Sequence, residues 1–378
     1  MATRRRSAGP PGAPRTGHGY QEMRMGHKPT RRTVLGGGLA LTLGGIGPGM
    51  RGARAAAPTR LAFAGVNLAG AEFGKVPGRH TFDYAYPPPA TIDYYAGLGF
   101  NVIRVPFRWE RLQPRLGEAL ATDEQARLAA VVAHASAKGQ SVIIDPHNYA
   151  RRRVETDNWA REHFIGTDAV PTETFADFWR RLAEAFKGNP RAIFGLMNEP
   201  AGIAVDAWLP AADAAVKSIR ETQASNLILV PGIDYAGAHS WISSGNVRMR
   251  AIADPADNFA FEVHQYLDGD SSGTSPEAVS ATIGSERIRA FQDWAREHQF
   301  KAFLGEFGAA DNERSLAALR DLCRTLEDNA DVWLGWAAWA GGSWWPEDYF
   351  LNLEPAKDGR ARKQTEILAE HARRVHSG

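Results

Sequence analysis

The sequence predicts an α/β fold of the (β/α)8 TIM-barrel class in a single catalytic domain, and three observations predict it. Eight short apolar runs recur, each gives out in a polar or glycine-rich turn, and longer stretches with helical spacing lie between them. The first run, Leu61 to Val66, ends on Asn67. The second, Asn101 to Val105, contains Arg104. The third, Ser141 to Ile144, follows the helical stretch Thr122 to Ala137 and leads to His147 and Asn148. The fourth, Ala192 to Met197, follows Thr172 to Phe186 and leads to Asn198 and Glu199. The fifth, Asn226 to Val230, follows Val205 to Gln223. The sixth, Phe259 to Val263, leads to His264 and Tyr266. The seventh, Lys301 to Leu304, follows Ser275 to His298 and leads to Glu306. The eighth, Val332 to Ala337, follows Asn312 to Asp328 and leads to Trp339.

The stretch Thr172 to Phe186 shows the helical logic. Phe175, Phe178, Trp179, Leu182 and Phe186 share one face, while Arg180, Arg181 and Glu184 point elsewhere. Its start offers Thr172 as an N-cap oxygen and Glu173 as a first-turn acid, and Gly188-Asn189-Pro190 ends it. Eight such alternations imply a parallel sheet covered by helices, and closure removes the edges that eight strands would otherwise expose. The alternative is an open doubly wound sheet. It lacks the Gly-x-Gly-x-x-Gly turn after its first strand.

Bulk composition narrows the function. The chain of 378 residues is 44% apolar and 23% charged, the profile of a globular enzyme. Its formal charge of +1 hides an asymmetry, because residues 1–55 hold ten Lys and Arg against one acid, Glu22. The remainder has 34 basic and 42 acidic side chains, a net charge of −8. That balance argues against nucleic acid as a partner, since binding there rests on clustered basic residues, and it suits a neutral substrate. Cys323 is the only cysteine, so no intrachain disulfide forms.

Residues 1–57 read as an export leader and residues 58–378 as the catalytic domain, with no linker, repeat or appended module visible. Thr30-Arg31-Arg32-Thr33-Val34-Leu35 sets a twin arginine before the apolar, glycine-rich run Val34 to Ile46. Ala53-Arg54-Ala55 then supplies a small-x-small cleavage site. This resembles a Tat signal and implies a secreted or periplasmic bacterial protein. The apolar run falls short of the roughly 20 residues that span a bilayer, so no stable membrane association is expected. A disordered basic tail is the plainer alternative. Nothing in the sequence assigns an oligomeric state.

In a TIM barrel the chemistry gathers at the carboxyl ends of the strands. The residues found there are Asn67, Arg104, His147 with Asn148, Asn198 with Glu199, His264 with Tyr266, Glu306 and Trp339. Any one of them alone is as well explained as a structural polar group. Seven aligned strand ends are not. Two ends carry glutamates on opposite sides of the mouth, and paired carboxyls cleave a glycosidic bond, one protonating the leaving oxygen while the other attacks carbon or activates water. Charge logic leaves open which glutamate is which. Tyr266 and Arg104 are placed to keep Glu306 ionised, Asn198 to bind a sugar 2-hydroxyl, and His147 to hold the ring from the other side. Trp339 offers a flat face to a pyranose, and Trp344 and Trp345 extend that platform or else pack within their loop.

At these residues the sequence resembles glycoside hydrolase family 5, and within it the subfamily 5 endo-β-1,4-glucanases. The segments that carry the likeness run from Gly65-Val66-Asn67-Leu68-Ala69-Gly70-Ala71-Glu72-Phe73-Gly74 through Ile103-Arg104-Val105-Pro106-Phe107 and Asp145-Pro146-His147-Asn148-Tyr149. They continue through Asn198-Glu199-Pro200, His264-Gln265-Tyr266-Leu267-Asp268, Gly305-Glu306-Phe307 and Trp333-Leu334-Gly335-Trp336. The resemblance implies an invariant set at Arg104, His147, Asn198, Glu199, His264, Tyr266, Glu306 and Trp339. It makes Glu199 the acid/base and Glu306 the nucleophile of a retaining reaction on a polysaccharide or oligosaccharide, with no cofactor and no metal. Soluble or amorphous β-glucan is the expected substrate, because no binding module accompanies the domain. Mannan, xyloglucan, mixed-linkage glucan and transglycosylation stay open within the same chemistry. A metal-dependent hydrolase built on His147 and His264 lacks His-Glu-x-x-His spacing, and a non-catalytic sugar-binding barrel would not need two carboxyls.

Overall fold

The computed structural model describes residues 60–156 and 159–376. The expected leader, residues 1–57, with the twin arginine and the small-x-small motif read from its sequence, lies outside the described residues. Eight parallel strands close a barrel: β1 (Phe63–Leu68), β2 (Val102–Phe107), β3 (Ser141–Pro146), β6 (Ala192–Gly195), β7 (Ile228–Pro231), β8 (Phe259–His264), β9 (Ala302–Glu306) and β10 (Trp333–Gly341). Closure comes from β1, which pairs with β2 on one side and β10 on the other. Every strand proposed from an apolar run is present, within a few residues of the expected bounds.

The helices are α1 (Pro89–Gly97), α2 (Trp109–Leu112), α3 (Thr122–Ala137), α4 (Thr172–Phe186), α5 (Val205–Glu221), α6 (Ile283–Glu297), α7 (Glu313–Asp328) and α8 (Lys363–His376). Two indoles tie the helical layer to the strand ends that matter. Trp179 of α4 donates to the Leu196 carbonyl just past β6 at 3.0 Å, and Trp208 of α5 donates to Pro231 at the end of β7 at 2.8 Å. Both rings are buried, and replacing either with Ala costs about 3–5 kcal/mol by lost burial and the cavity left behind.

Three expectations are corrected. Residues Ser275 to Thr282 are not helical, because the Asp268 carboxylate takes the amides of Gly273, Thr274 and Ser275 at 3.0, 3.0 and 3.1 Å and holds the segment as a loop. Thr172 is the first residue of α4 rather than its cap; Pro171 holds the capping position, with no side-chain bond. Between β3 and α4 an antiparallel hairpin intervenes, β4 (Arg151–Thr156) against β5 (Trp159–Phe164), which no apolar alternation announced. Its anchor is buried Glu110, whose carboxylate accepts from the Arg153 amide at 2.7 Å and from Asn148 Nδ2 at 2.9 Å. No helix among the described residues is long and apolar enough to cross a membrane.

Candidate active site

The barrel interior is layered, and the layers follow from the two-residue period of a strand. Its floor is apolar: Val102, Ile143, Ile193, Leu229, Ala260, Phe303 and Ala337, each from a different strand, pack with Phe63 of β1. One repeat higher the same strands present Arg104, Asp145 and Glu262, with glycine at 195 and 305. One repeat higher again come Asn67, His147 and His264. Glu306 joins them through an irregularity, because the β8–β9 pairing slips after Val263 and brings His264 opposite Glu306. A slip of this kind re-aims a side chain that regular alternation would direct elsewhere.

Arg104 is fully buried and organises the cluster. Its Nη1 donates to Glu306 Oε1 at 2.8 Å and to Asn67 Oδ1 at 2.9 Å, and lies 3.1 Å from Asp145 Oδ2. Nη2 donates to Asn198 Oδ1 at 2.9 Å, and Nε lies 3.0 Å from Glu262 Oε1. Burying a guanidinium is costly unless anions surround it. Here they do, and the guanidinium is held more basic than usual although burial opposes its charge. Asn67 is spent within the protein, its amide donating to the carbonyls of Gly305, Ala337 and Ala338.

The two glutamates converge. One oxygen of each carboxylate and a ring nitrogen of His264 lie within 4.8 Å of one another. Glu306 accepts from Arg104 on Oε1 and from the Tyr266 hydroxyl on Oε2 at 2.9 Å. Glu199 Oε1 is bonded to His264 Nδ1 at 2.7 Å, and its side chain, 14% exposed, is the more open of the two. Its backbone has φ +41, a left-handed conformation that costs a non-glycine residue about 1–3 kcal/mol and is further disfavoured before a proline. Neighbours hold it there. The Asn198 amide donates to Pro146 at 2.9 Å, and the amides of Tyr149 and Tyr235 donate to Asn198 at 3.0 Å and Pro200 at 3.2 Å.

Burial raises the Glu306 carboxyl above its ordinary range and the nearby Glu199 adds to that, while His264, Arg104 and His147 act the other way. Two carboxylates this close favour a shared proton. Two fixed donors already occupy Glu306 and favour its charged form. Burial disfavours charge on His264, yet Glu306, Glu199 and Glu262 outweigh it and raise its pKa to about 10. His147 behaves oppositely, with burial lowering it to about 3. It is neutral, with Nδ1 2.8 Å from Asp145 Oδ2. A protonated His264 donates from both ring nitrogens and has no lone pair left for a cation.

Trp339 stacks on His147, ring centres 5.7 Å apart at 24°, and its indole donates to the Tyr349 hydroxyl at 3.1 Å. Trp345 stacks on Tyr349 at 4.3 Å, meets Trp339 edge-on at 5.9 Å and donates to the Gly341 carbonyl, so its ring packs within the loop. Trp344 is half-buried and stands outside the apolar cluster that holds Trp339 and Trp345. Four residues near the site escaped the sequence reading. Asp145, just past the run Ser141 to Ile144, and Glu262, inside the run Phe259 to Val263, stand two positions before His147 and His264, and that period was the signal available. Tyr149, edge-on to His147 at 5.4 Å, and Tyr235, 49% exposed beside Pro200, follow strand ends in loops.

Residues 66–342 match the family model for cellulase, glycosyl hydrolase family 5. The chain belongs to glycosyl hydrolase family 5. Among its relatives, endo-β-1,4-glucanase A of Emericella nidulans is 39% identical over 318 residues, 82% of this chain and 93% of that one. An endo-β-1,4-glucanase structure from Xanthomonas axonopodis pv. citri is 45% identical with a TM-score of 0.80, over 84% of this chain and all of that one. The Pseudomonas stutzeri endoglucanase Cel5A, solved with cellobiose, is 38% identical with a TM-score of 0.75, over 82% and 92% of the two chains. The matched span of this family 5 hydrolase includes every residue of the cluster.

Proposed function

We propose that this family 5 hydrolase is a retaining endo-β-1,4-glucanase in which Glu199 is the acid/base and Glu306 the nucleophile. The observation that carries the reading is the approach of the two carboxylates to within 4.8 Å. Retaining glycosidases keep this spacing at about 5–5.5 Å, whereas inverting enzymes leave about 6.5–9.5 Å for a water. The relatives' activity on β-1,4-glucan supports the substrate.

Glu199 gives its proton to the glycosidic oxygen while a Glu306 oxygen attacks the anomeric carbon. The bond to the leaving group breaks and a glycosyl ester forms. Glu199, now an anion, then takes a proton from water, which displaces Glu306 and returns the enzyme to its first state. Donors fixed on Glu306 keep it an anion and fix its direction; the wetter Glu199 exchanges protons with the leaving group and water. Asn198, His147, Tyr266 and Trp339 surround the sugar at the point of cleavage, and Arg104 and Asn67 hold them from below. Residues 1–57 serve as a Tat-type leader and residues 58–378 as the catalytic domain, which makes the enzyme an exported one; the twin arginine and the cleavage site support this.

The test is carboxymethylcellulose hydrolysis by Glu199→Gln and Glu306→Gln, with proton NMR of the first product from cello-oligosaccharides. Loss of turnover by at least about a thousandfold in both variants, with a β-anomer released first, is the expected result. Wild-type turnover in either variant, or first release of the α-anomer, would sink the assignment.

A further inference from the structure

We propose that Glu262, buried in the charged layer of the barrel, is a positioning residue that holds a constant positive charge on His264 and aims Arg104 at Glu306 through both steps of the reaction. The proposal rests on the assignment of Glu199 and Glu306 given above.

The sequence makes room for this carboxylate. A Cβ at residue 305 would stand 2.2 Å from Glu262 Oε1, so the adjoining strand β9 carries glycine where Glu262 enters. The side chain is 1% exposed, out of reach of substrate. Its Oε1 stands 3.0 Å from Arg104 Nε and 3.6 Å from His264 Nε2. Neither of its oxygens, nor Arg104 Nε, nor His264 Nε2, makes a directed hydrogen bond among the described residues. The contact is therefore one of charge. Burial opposes ionisation of Glu262, but Arg104 and His264 outweigh it and hold its carboxyl below the ordinary range.

A buried carboxylate here has a consequence for the chemistry. The groups facing His264 are Glu199 at 2.7 Å, Glu306 at 3.7 Å and Glu262, with Asp145 of β3 and His147 just past it close enough to act on its charge or feel it. When the glycosyl ester forms, Glu306 loses its negative charge and Glu199, having given up its proton, gains one. The anion moves between the two carboxylates that share the Nδ1 side of His264, while Glu262 stays at Nε2. Of the three carboxylates that face the His264 ring, Glu262 is the one whose charge does not change in the cycle. It keeps the imidazolium in place as its catalytic partners exchange charge, which is preorganisation of the kind that lowers a charge-shifting barrier.

Glu262→Gln keeps the shape and removes the charge. Removing a buried anion makes every proton in the cluster easier to lose. The alkaline limb of the kcat–pH profile is therefore expected to move at least about one unit to lower pH, with kcat down about tenfold or more and KM within about twofold. Glu262→Asp, which restores the charge, returns the limb to its wild-type position. A limb that stays in place in Glu262→Gln, whether or not kcat and Tm fall, overturns the proposal. If Glu262→Gln does not fold, 15N NMR of His264 in the wild-type enzyme decides: an imidazolium from pH 6 to 8 supports the proposal, and a neutral ring at pH 7 overturns it. An inactive Glu306→Gln beside a wild-type Glu262→Gln profile removes this proposal alone. An active Glu306→Gln removes the assignment of the site as well.

Discussion

Replacing Tyr266 with Phe tests how Glu306 is kept ionised. The Tyr266 ring is buried and its hydroxyl donates to Glu306 Oε2 at 2.9 Å, so Phe preserves the packing and deletes one donor. A hydrogen bond to a charged group contributes about 1.5–3 kcal/mol. Arg104 still holds Oε1 at 2.8 Å and His264 still stands 3.7 Å from Oε2, so the lower end of that range applies. One pKa unit corresponds to about 1.36 kcal/mol, so the Glu306 carboxyl rises by about one unit. The anion then forms only at higher pH. The acid limb of kcat/KM, measured on a soluble cello-oligosaccharide, moves up by about one pH unit, and activity below that limb falls about tenfold. Tm changes little. An acid limb within about 0.3 units of wild type, in a variant of unchanged Tm, would refute the claim that Tyr266 keeps Glu306 charged.

Gly305→Ala places a methyl carbon 2.2 Å from Glu262 Oε1 and is expected to lower stability by about 1–3 kcal/mol and to reduce activity with it; wild-type thermal denaturation would show that Glu262 can move aside. The folded-state pKa of His264 lies near 10, above the ordinary 6.5, so its contribution to stability is full below pH 6.5 and is lost as pH rises toward 10. Tm measured from pH 7 to 10 should fall less steeply in His264→Gln than in wild type, and parallel slopes count against a buried imidazolium. Because the proposed double displacement uses Glu199 for proton transfer and Glu306 for attack, with no step on a metal, turnover after exhaustive chelation should equal that before it. A loss restored by one divalent metal would require a different mechanism.

Sequence reading reached the strands well because each apolar run in a closed barrel is buried on both faces and so stands out from its surroundings. The helices α3 and α4 were legible to the residue, and α4 was so because Phe175, Phe178, Trp179, Leu182 and Phe186 leave no other face to bury. It failed where a side chain outside the segment decides the local conformation. Residues 275–282 look helical by spacing, yet the Asp268 carboxylate, reaching the amides of 273–275, holds that segment as loop. The β4–β5 hairpin hangs on Glu110, some 40 residues earlier in the chain, and no local pattern contains that information.

The same division runs through the site. Sequence alone determined that two glutamates follow apolar runs, that a histidine and a tyrosine stand in phase at the end of the sixth run, and that an arginine lies within the second, since a two-residue period settles which side chains share a face. Only the tertiary structure decided how near those carboxylates come, because that distance depends on the slipped pairing of β8 and β9 and on the left-handed backbone at Glu199. It also decided that Glu262 and Asp145, which read as stray acids in or just past apolar runs, meet the buried charges of Arg104 and His264. Coulomb energy between buried groups turns on separations of an ångström or two. Strand periodicity names the face a residue lies on and leaves that separation to the closure of the barrel.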